Sequence, residues 1–278
     1  MYGETREPMS WDRFLATVIR NFAEKHNITA TALSGDWIFL LEKDARRHFV
    51  FGLDLGLNNS SSKLIARDKS ATFEILNREN IPAVPHHLFL RPNSLGSNPD
   101  GNWTALQTYF TQYNNNVVCK PNIGSSGRMV VQAQTLPELE LAVQNIFSQE
   151  RTLAVSPFLD IAAEYRITVL QHKALHVYKK EKTDDTILKF NLSSGAIATE
   201  VTDKTLIKKL YTIAQDATRA IDITFANVDI VETPKGFFVL EINSGVMFEH
   251  YAKQGQKEKN TVENIYNQAL LSIFTPSR

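Results

Sequence analysis

The sequence has a single cysteine, no excess of either charge and no long hydrophobic run. The lone Cys119 excludes an internal disulfide and a multi-cysteine zinc site, and its valine neighbours predict a buried strand position. The 30 Lys and Arg residues balance 30 Asp and Glu residues, whereas nucleic-acid-binding proteins usually carry a basic surplus. The longest apolar run, residues 37–41, is too short to cross a bilayer, and residues 1–11 lack the apolar stretch of a signal peptide. We therefore expect a cytoplasmic protein with no nucleic-acid or membrane partner.

The composition is that of an ordinary globular protein. Hydrophobic residues make up 43% and charged residues 22% of the 278 residues, which is enough to bury a core without disulfides or bound metal. Apolar residues recur at helical spacing in residues 10–26, 63–80 and 136–149, whereas short apolar runs such as 117–120 and 237–243 indicate strands. Helices and strands alternate without a strict βαβ rhythm, which favours an α+β fold with antiparallel sheets.

One predicted hairpin brings three oxygen-bearing side chains together. Glu241 and Asn243 are two residues apart on a strand, so both project from the same face. A three-residue Pro-Lys-Gly loop pairs Thr233 with Phe237, and counting back along the strands puts Asp229 opposite Glu241. The other face of the hairpin is predicted to consist of Val228, Ile230, Leu240 and Ile242. Oxygen ligands without His or Cys select Mg²⁺ or Mn²⁺ over zinc. Taken alone, a solvated acidic hairpin explains these residues equally well.

A lysine followed by a loop of glycine and serine indicates a phosphate site. Lys120 leaves a predicted buried strand, where its ammonium can lie beside phosphates. Gly124, Ser125, Ser126 and Gly127 then offer backbone N–H groups and hydroxyls with little steric obstruction. No Gly-Lys-Ser/Thr opens a helix here, so the segment is not a P-loop. Taken alone, an ordinary β-turn explains this loop better.

The stretch that begins at Ser156 suits a nucleoside. Its apolar residues Phe158 and Leu159 can hold a flat base, and its backbone can contact the edge of that base. Glu164 and Arg166 alternate on one strand face, so a carboxylate and a guanidinium are available for ribose and phosphate. In isolation, a surface ion pair between Glu164 and Arg166 is the simpler explanation.

Together, the lysine with its glycine-serine loop, the stretch from Ser156 and the acidic hairpin resemble the ATP-grasp superfamily. The ribosomal-protein glutamate ligases are nearest in pattern, with cyanophycin and glutathione synthetases and D-alanine–D-alanine ligase further off. The resemblance covers roughly residues 62–252. It begins with Ala66-Arg67-Asp68-Lys69, Ile75-Leu76 and Ile81-Pro82-Ala83-Val84-Pro85, which together are similar to the family's "DK…LL…GIPvP" entry helix.

The resemblance implies a role for each candidate residue. The residues expected to bind the nucleotide are Lys69, Lys120, Gly124, Ser125, Ser126, Gly127, Ser156, Phe158, Leu159 and Glu164. Those expected to act at the reaction centre are Lys120, Arg166 and Asn191, and those expected to bind Mg²⁺ are Asp229, Glu241 and Asn243.

The resemblance also implies a fold and an activity. Two α+β lobes are expected to clasp ATP between antiparallel sheets, with residues 1–62 as a short N-terminal α/β region, 63–155 as the first lobe and 156–278 as the second. ATP would phosphorylate a carboxylate, and an amine, with an amino acid or peptide as the expected substrates, would attack the acyl phosphate to form an amide. A small-molecule kinase and a non-catalytic ATP-binding regulator are the alternatives. Ligases of this kind are often dimers or tetramers, so a homo-oligomer is expected.

The chain departs from the family's pattern near the expected acceptor site. After Asn243 the sequence continues Ser-Gly-Val, where the family has a small residue followed by Pro-Gly. Lys189 stands where an arginine often precedes the residue matched by Asn191, and a lysine fits a carboxylate less specifically than a guanidinium. Lys179 and Lys180 either hold the acceptor carboxylate or form a solvated strand end.

Overall fold

The computed structural model describes residues 13–92, 102–124, 127–181 and 195–275. The chain divides into two compact units, one formed by residues 60–244 and the other by the residues up to 59 together with those from 245 onward. No described helix has the length and apolar character of a membrane-spanning segment.

The described part of the chain contains eight helices and twelve strands. The helices are α1 (Phe14–Lys25), α2 (Ser60–Arg67), α3 (Lys69–Arg78), α4 (Asn102–Gln112), α5 (Leu136–Gln149), α6 (Lys204–Ala220), α7 (Glu249–Ala252) and α8 (Gln256–Phe274). The strands are β1 (Thr29–Leu33), β2 (Ile38–Lys43), β3 (Arg46–Phe51), β4 (His87–Leu90), β5 (Val117–Pro121), β6 (Val131–Ala133), β7 (Thr152–Pro157), β8 (Ala163–Leu170), β9 (Lys173–Glu181), β10 (Ile197–Glu200), β11 (Phe225–Thr233) and β12 (Gly236–Asn243).

A five-stranded sheet with the order β10-β9-β8-β11-β12 forms one half of the larger unit. All of its neighbouring strands are antiparallel. Alternate side chains such as Ile167 and Ile230 form a buried core with Leu210 and Ala214 of α6. Helix α6 begins where Asp203 accepts hydrogen bonds from two backbone N–H groups of the first turn. Because strand side chains alternate between faces, the polar residues of these strands lie on the opposite face.

A four-stranded antiparallel sheet with the order β4-β7-β5-β6 forms the other half of this unit. Its core consists of strand residues such as Val117 and Leu153 and of Leu139 and Ile146 from α5. A capping box between Thr135 and the residue three positions later satisfies the first N–H groups of α5.

The smaller unit contains a three-stranded antiparallel sheet with the order β1-β2-β3. Helix α1 contacts both α8 and β1, and α7 contacts α8. Helix α1 presents a buried face that includes Leu15, Ile19 and Phe22, which agrees with the helical spacing predicted for residues 10–26. Ser10 and Trp11 of that prediction lie outside the described residues.

The predicted α+β class with antiparallel sheets is confirmed. One predicted helix, residues 63–80, is instead the pair α2 and α3, since Asp68 leaves the helical conformation and its carboxylate caps Ala71 N–H at 2.9 Å. Strand β10 was not predicted. The boundary predicted between residues 155 and 156 falls inside β7, and the division of the chain into three parts stays a prediction.

Replacing Leu210 with Ala tests the core of the five-stranded sheet. Leu210 is fully buried, so Leu210→Ala should lower the free energy of unfolding by about 2–5 kcal/mol, measured by urea denaturation. Leu141 on α5 is 59% exposed, and Leu141→Ala should change that free energy by less than about 0.5 kcal/mol. Equal losses for the two variants would contradict the packing described for α6.

Candidate active site

Strands β11 and β12 form the predicted hairpin, but with a shorter turn. Thr233 pairs with Gly236, so only Pro234 and Lys235 lie between the strands, and the predicted pairing of Thr233 with Phe237 is wrong. The Thr233 hydroxyl stabilises the turn by accepting from Lys235 N–H at 3.2 Å and donating to Gly236 C=O at 3.1 Å. Gly236 has a φ of 119°, which a residue with a side chain rarely adopts.

A β-bulge restores the predicted partners further along the hairpin. The register shifts between Asp229 and Ile230, so one residue of β12 has no partner and Asp229 lies opposite Glu241, as predicted. Because of this shift, Val239 replaces Leu240 on the core face, where Val228, Ile230 and Ile242 are buried as predicted.

The carboxylate of Asp229 is held by two cations, the partly buried Arg166 and the buried Lys180. Arg166, its partner on β8, donates from Nε and Nη2 to the two carboxylate oxygens at 2.7 and 2.6 Å. Lys180 on β9 lies 3.1 Å from Asp229 Oδ1 and also donates to Glu164. Asp229 and Lys180 are only 1% and 2% exposed. The simple surface pair of Glu164 with Arg166 is therefore wrong, because each of these residues pairs across strands within a buried network.

The network separates the pKa values of its two carboxyl groups. Burial alone would raise the pKa of Asp229, but Arg166 and Lys180 outweigh burial and hold it well below its usual range. Burial raises the pKa of Glu164, and Lys180 offsets this only in part. Burial likewise opposes the charge of Lys180, but Asp229 and Glu164 keep the pKa of Lys180 above its ordinary value. Asp229 is consequently a firmly ionised group.

The three predicted metal ligands meet on this face. Asn243 Nδ2 donates to Asp229 Oδ2 at 3.3 Å and to Glu241 Oε1 at 3.1 Å, so one amide joins both carboxylates. Across the described ranges, no three His, Cys, Asp or Glu side chains form a metal site, and the third group here is an amide. The structure turns Nδ2 of Asn243 toward the carboxylates, and a half-turn of this amide would present its oxygen instead, so that the donors would all be oxygen. That set fits Mg²⁺ or Mn²⁺.

The two predicted phosphate lysines also approach this face. Burial lowers the pKa of Lys69, and Glu241 and Asp68 offset this in part. Burial and then Lys69 lower the pKa of Lys120 to about 8, while Glu241 and Glu164 act in the opposite direction. Lys120 is only 9% exposed. In the part of the chain that the structure describes, its ammonium has neither a hydrogen-bond partner nor an ion pair. A lysine that is this little exposed and has no counter-ion in contact is a candidate for binding an anion.

The predicted phosphate loop is seen only at its ends. The Lys69 ammonium donates to the carbonyl oxygens of Gly124 at 3.0 Å and Asn122 at 3.4 Å. Gly127 has a φ of 66°, the left-handed conformation that favours glycine. Arg128 turns to Glu150 on the exposed surface. Ser125, Ser126 and the reaction-centre residue Asn191 lie outside the described residues.

The predicted adenine segment lies at the end of β7. Ser156 is buried opposite Val118, and Phe158 and Leu159 follow the strand. The Phe158 N–H donates to Asn116 C=O at 3.0 Å, so that group is engaged within the protein. The role of this segment in binding a base stays a prediction.

The sequence analysis offered two roles for Lys180, and a solvated strand end is wrong for it because Lys180 is buried and paired with Glu164 and Asp229. Two other buried polar residues of the site were not identified: Asn122 is buried beside Lys69, and His86 is buried near both lysines. Burial, followed by Lys120 and Lys69, holds the pKa of His86 well below its ordinary value. The predicted burial of Cys119 is confirmed, and burial raises the pKa of its thiol to about 12.

Comparison with known families agrees with this arrangement. Residues 66–265 match the model of the RimK-like ATP-grasp domain. This match covers well over half of the chain, and the protein belongs to the RimK-like ATP-grasp family. The two antiparallel sheets of residues 60–244 are accordingly those of an ATP-grasp fold.

Individual relatives are distant. A probable alpha-L-glutamate ligase of Haemophilus influenzae is 26% identical over 200 residues, which are 71% of this chain and 61% of that protein. D-alanine–D-alanine ligase of Bacillus anthracis in complex with ATP superposes with a TM-score of 0.58 at 17% identity, covering 78% of this chain and 67% of that one. The ATP-grasp ligase PsnB with its minimal precursor gives a TM-score of 0.54 at 14% identity, covering 78% of this chain and 64% of that one. At these identities, the solved structures establish the fold alone.

Replacing Lys180 with Met tests the charge network. The variant keeps the length of the side chain but leaves Glu164 without its cation and Asp229 with Arg166 only. We expect a loss of about 3–5 kcal/mol in the free energy of unfolding, measured by urea denaturation at pH 7. The neighbouring Lys179 forms an exposed pair with Glu181, and Lys179→Met should cost less than about 1 kcal/mol. A Lys180→Met variant with the same free energy of unfolding as the wild type would contradict the charge network.

Proposed function

We propose that this protein is an ATP-dependent carboxylate–amine ligase that forms an amide through an acyl phosphate and releases ADP and phosphate. The observation that carries the proposal is the Lys120 side chain, which is only 9% exposed and has no ion pair of its own among the described residues, although Glu164 and Glu241 lie near it. A triphosphate supplies the anion that this cation lacks. Membership of the RimK-like ATP-grasp family supports ATP as that anion.

Different residues bind the phosphates, the ribose and the base of the nucleotide. Lys69 and Lys120 bind phosphate oxygens, and the loop of Gly124, Ser125, Ser126 and Gly127 covers them. Glu164 accepts from the ribose hydroxyls, while Ser156, Phe158 and Leu159 line the base. Asp229, Glu241 and Asn243 hold Mg²⁺ or Mn²⁺, which when bound neutralises charge on the phosphates.

The chemical step requires orientation and charge neutralisation more than covalent help from the protein. Lys120 and Arg166 are fixed by burial and by their strands, so they neutralise developing charge without reorganising. Asn191 is assigned to the same centre on the resemblance alone. The phosphate loop excludes water, which would otherwise hydrolyse an acyl phosphate.

The substrates are proposed from the family and from the curated relative. The name of that relative, an alpha-L-glutamate ligase, supports an amino acid as one substrate, and an amino acid or a peptide is proposed as the other. The acid provides the carboxylate that ATP phosphorylates, and the amine attacks the acyl phosphate. A homo-oligomer is proposed by analogy with other ligases of this kind.

Replacing Glu241 with Gln tests the function and the metal site together. The wild type should release phosphate from ATP with Mg²⁺ only when both an acid and an amine are present, in a screen of amino acids and peptides. Glu241→Gln should weaken the Mg²⁺ dependence of ATP binding and turnover at least about tenfold, since even groups that only support a metal ligand contribute 10–100-fold.

Glu232→Gln is the matched control for this experiment. Glu232 lies on the same hairpin, where it accepts a hydrogen bond from the Tyr165 hydroxyl at 2.8 Å, and glutamine can also accept it. An unchanged Mg²⁺ dependence in Glu241→Gln would contradict the metal site. A stable phosphorylated product formed without an amine would identify a kinase, and binding without turnover would identify a regulator.

Proton uptake on binding tests the role of Lys120. Because the pKa of Lys120 is about 8 in the free protein, roughly half of its side chains are neutral at pH 8. Phosphate favours the charged form, so ATP binding should take up about 0.5 proton at pH 8, and the affinity should fall as the pH rises further. Isothermal titration calorimetry in two buffers of different ionisation enthalpy measures this uptake.

Two substitutions isolate the contribution of Lys120. Lys120→Arg stays charged at every accessible pH and should bind ATP with much less proton uptake. Lys120→Met should weaken ATP binding at least about tenfold at pH 7, because a charged partner of a phosphate is lost. Full proton uptake in both variants would show that another group titrates.

A further inference from the structure

Asn122 attaches the first turn of helix α3 to the end of strand β5. Its side-chain Oδ1 accepts from the backbone N–H of Ser70 at 3.0 Å and from the Ser70 hydroxyl at 2.9 Å. Its backbone carbonyl accepts from Lys69 N–H at 3.3 Å. The first N–H groups of a helix have no partners within the helix. Here Asn122, which belongs to a different element, satisfies the first two.

The same residue contacts the side chain of Lys69. The Lys69 ammonium lies 3.4 Å from the carbonyl oxygen of Asn122 and 3.0 Å from that of Gly124. Asn122 is 0% exposed, and its N–H donates to Thr152 C=O on β7 at 3.3 Å. It also follows Lys120 by two residues along the chain. One buried residue thus connects the element that carries Lys69 to the element that carries Lys120.

Two ammonium groups that approach each other repel, and burial strengthens the repulsion. Lys69 and Lys120 nevertheless share one site, where Lys69 contributes to the lowered pKa of Lys120. A fixed backbone connection is needed to hold them together in the absence of an anion. The hydrogen bonds of Asn122 to Lys69 and Ser70 provide that connection.

The absence of charge on the Asn122 side chain matters as much as the hydrogen bonds that this side chain makes. An aspartate at this position would accept the same two hydrogen bonds from Ser70. Its charge would lie beside the lysine pair and would compete with phosphate for it. The Nδ2 atom of Asn122 is buried and has no hydrogen-bond partner among the described residues, so the attachment of α3 does not itself require an amide rather than a carboxylate.

We propose that Asn122 is a positioning residue. Its backbone carbonyl contacts Lys69, its side-chain oxygen fixes Ser70 next to it, and its neutral amide adds no charge that competes with the phosphates of ATP for Lys69 and Lys120. This inference rests on the proposed function for the identity of the ligand. It adds a residue that acts through the two lysines.

Asn122→Asp separates this role from a purely structural one. The variant keeps the hydrogen bonds from Ser70 but buries a carboxylate oxygen that has no hydrogen-bond partner, so its melting temperature should fall, and binding is measured at a temperature where the variant is folded. Its affinity for ATP with Mg²⁺ should fall at least tenfold, while its affinity for adenosine, which has no phosphates, should not change. Calorimetric titrations of both ligands measure this difference. Asn145→Asp, which adds the same charge on the exposed side of α5, should leave both affinities unchanged.

Ser70→Ala provides a second test that does not depend on the folding of Asn122→Asp. It removes one hydrogen bond to Asn122 Oδ1, so ATP affinity should fall several-fold with no change for adenosine. Wild-type affinity for ATP in Asn122→Asp would overturn the inference, and so would a parallel loss of ATP and adenosine binding. If the wild type binds adenosine but gains nothing from the triphosphate, the proposed function itself fails.

Discussion

The buried ion pair between Arg166 and Asp229 is the interaction on which the rest of the site depends. Asp229 lies on the inner strand β11, almost fully buried, where an unpaired carboxylate would cost several kcal/mol. Arg166 meets both of its oxygens, and Lys180 adds a second cation. These cations keep Asp229 ionised, and Arg166 donates to both of its oxygens. Asn243 donates hydrogen bonds both to this ionised carboxylate and to that of Glu241.

The two sheets of the larger unit make different electrostatic contributions. The five-stranded sheet supplies Arg166 and Lys180, whose charges are satisfied by carboxylates of the same sheet. Strand β5 of the four-stranded sheet supplies Lys120, and Lys69 begins α3, which packs against α6 and β12 of the other half. Neither lysine is paired with a carboxylate in the way that Arg166 and Lys180 are. The proposed ligand, which combines a metal cation with several phosphate charges, would complement both groups of charges.

Local patterns in the sequence predicted much of this arrangement. Alternation placed Glu164 with Arg166 and Glu241 with Asn243 on common faces, because that depends only on neighbours along one strand. The pairing of Asp229 with Glu241 was predicted correctly although the turn was not, since the β-bulge compensates for the shorter loop.

Such local patterns do not predict contacts between residues that are far apart in the sequence. The pairing of Arg166 with Asp229 depends on β8 and β11 being neighbours, and these two residues are 63 positions apart in the sequence. Lys180 and Glu164 are 16 positions apart and meet across the consecutive strands β8 and β9. The contact between Asn122 and Ser70 spans 52 residues and has no motif of its own. It becomes visible only once α3 and β5 are placed together.

The point at which the chain departs from the family's pattern is informative about specificity. The elements that resemble the family are those proposed to bind the nucleotide and the metal, and that task is the same whichever acid and amine are joined. The departure begins directly after Asn243, and the larger unit ends one residue later, at Ser244. Asn243 is followed by Ser-Gly-Val, without the Pro-Gly ending. Under the proposed function, this departure is where the recognition of the acid and the amine is expected to differ from that of other ligases.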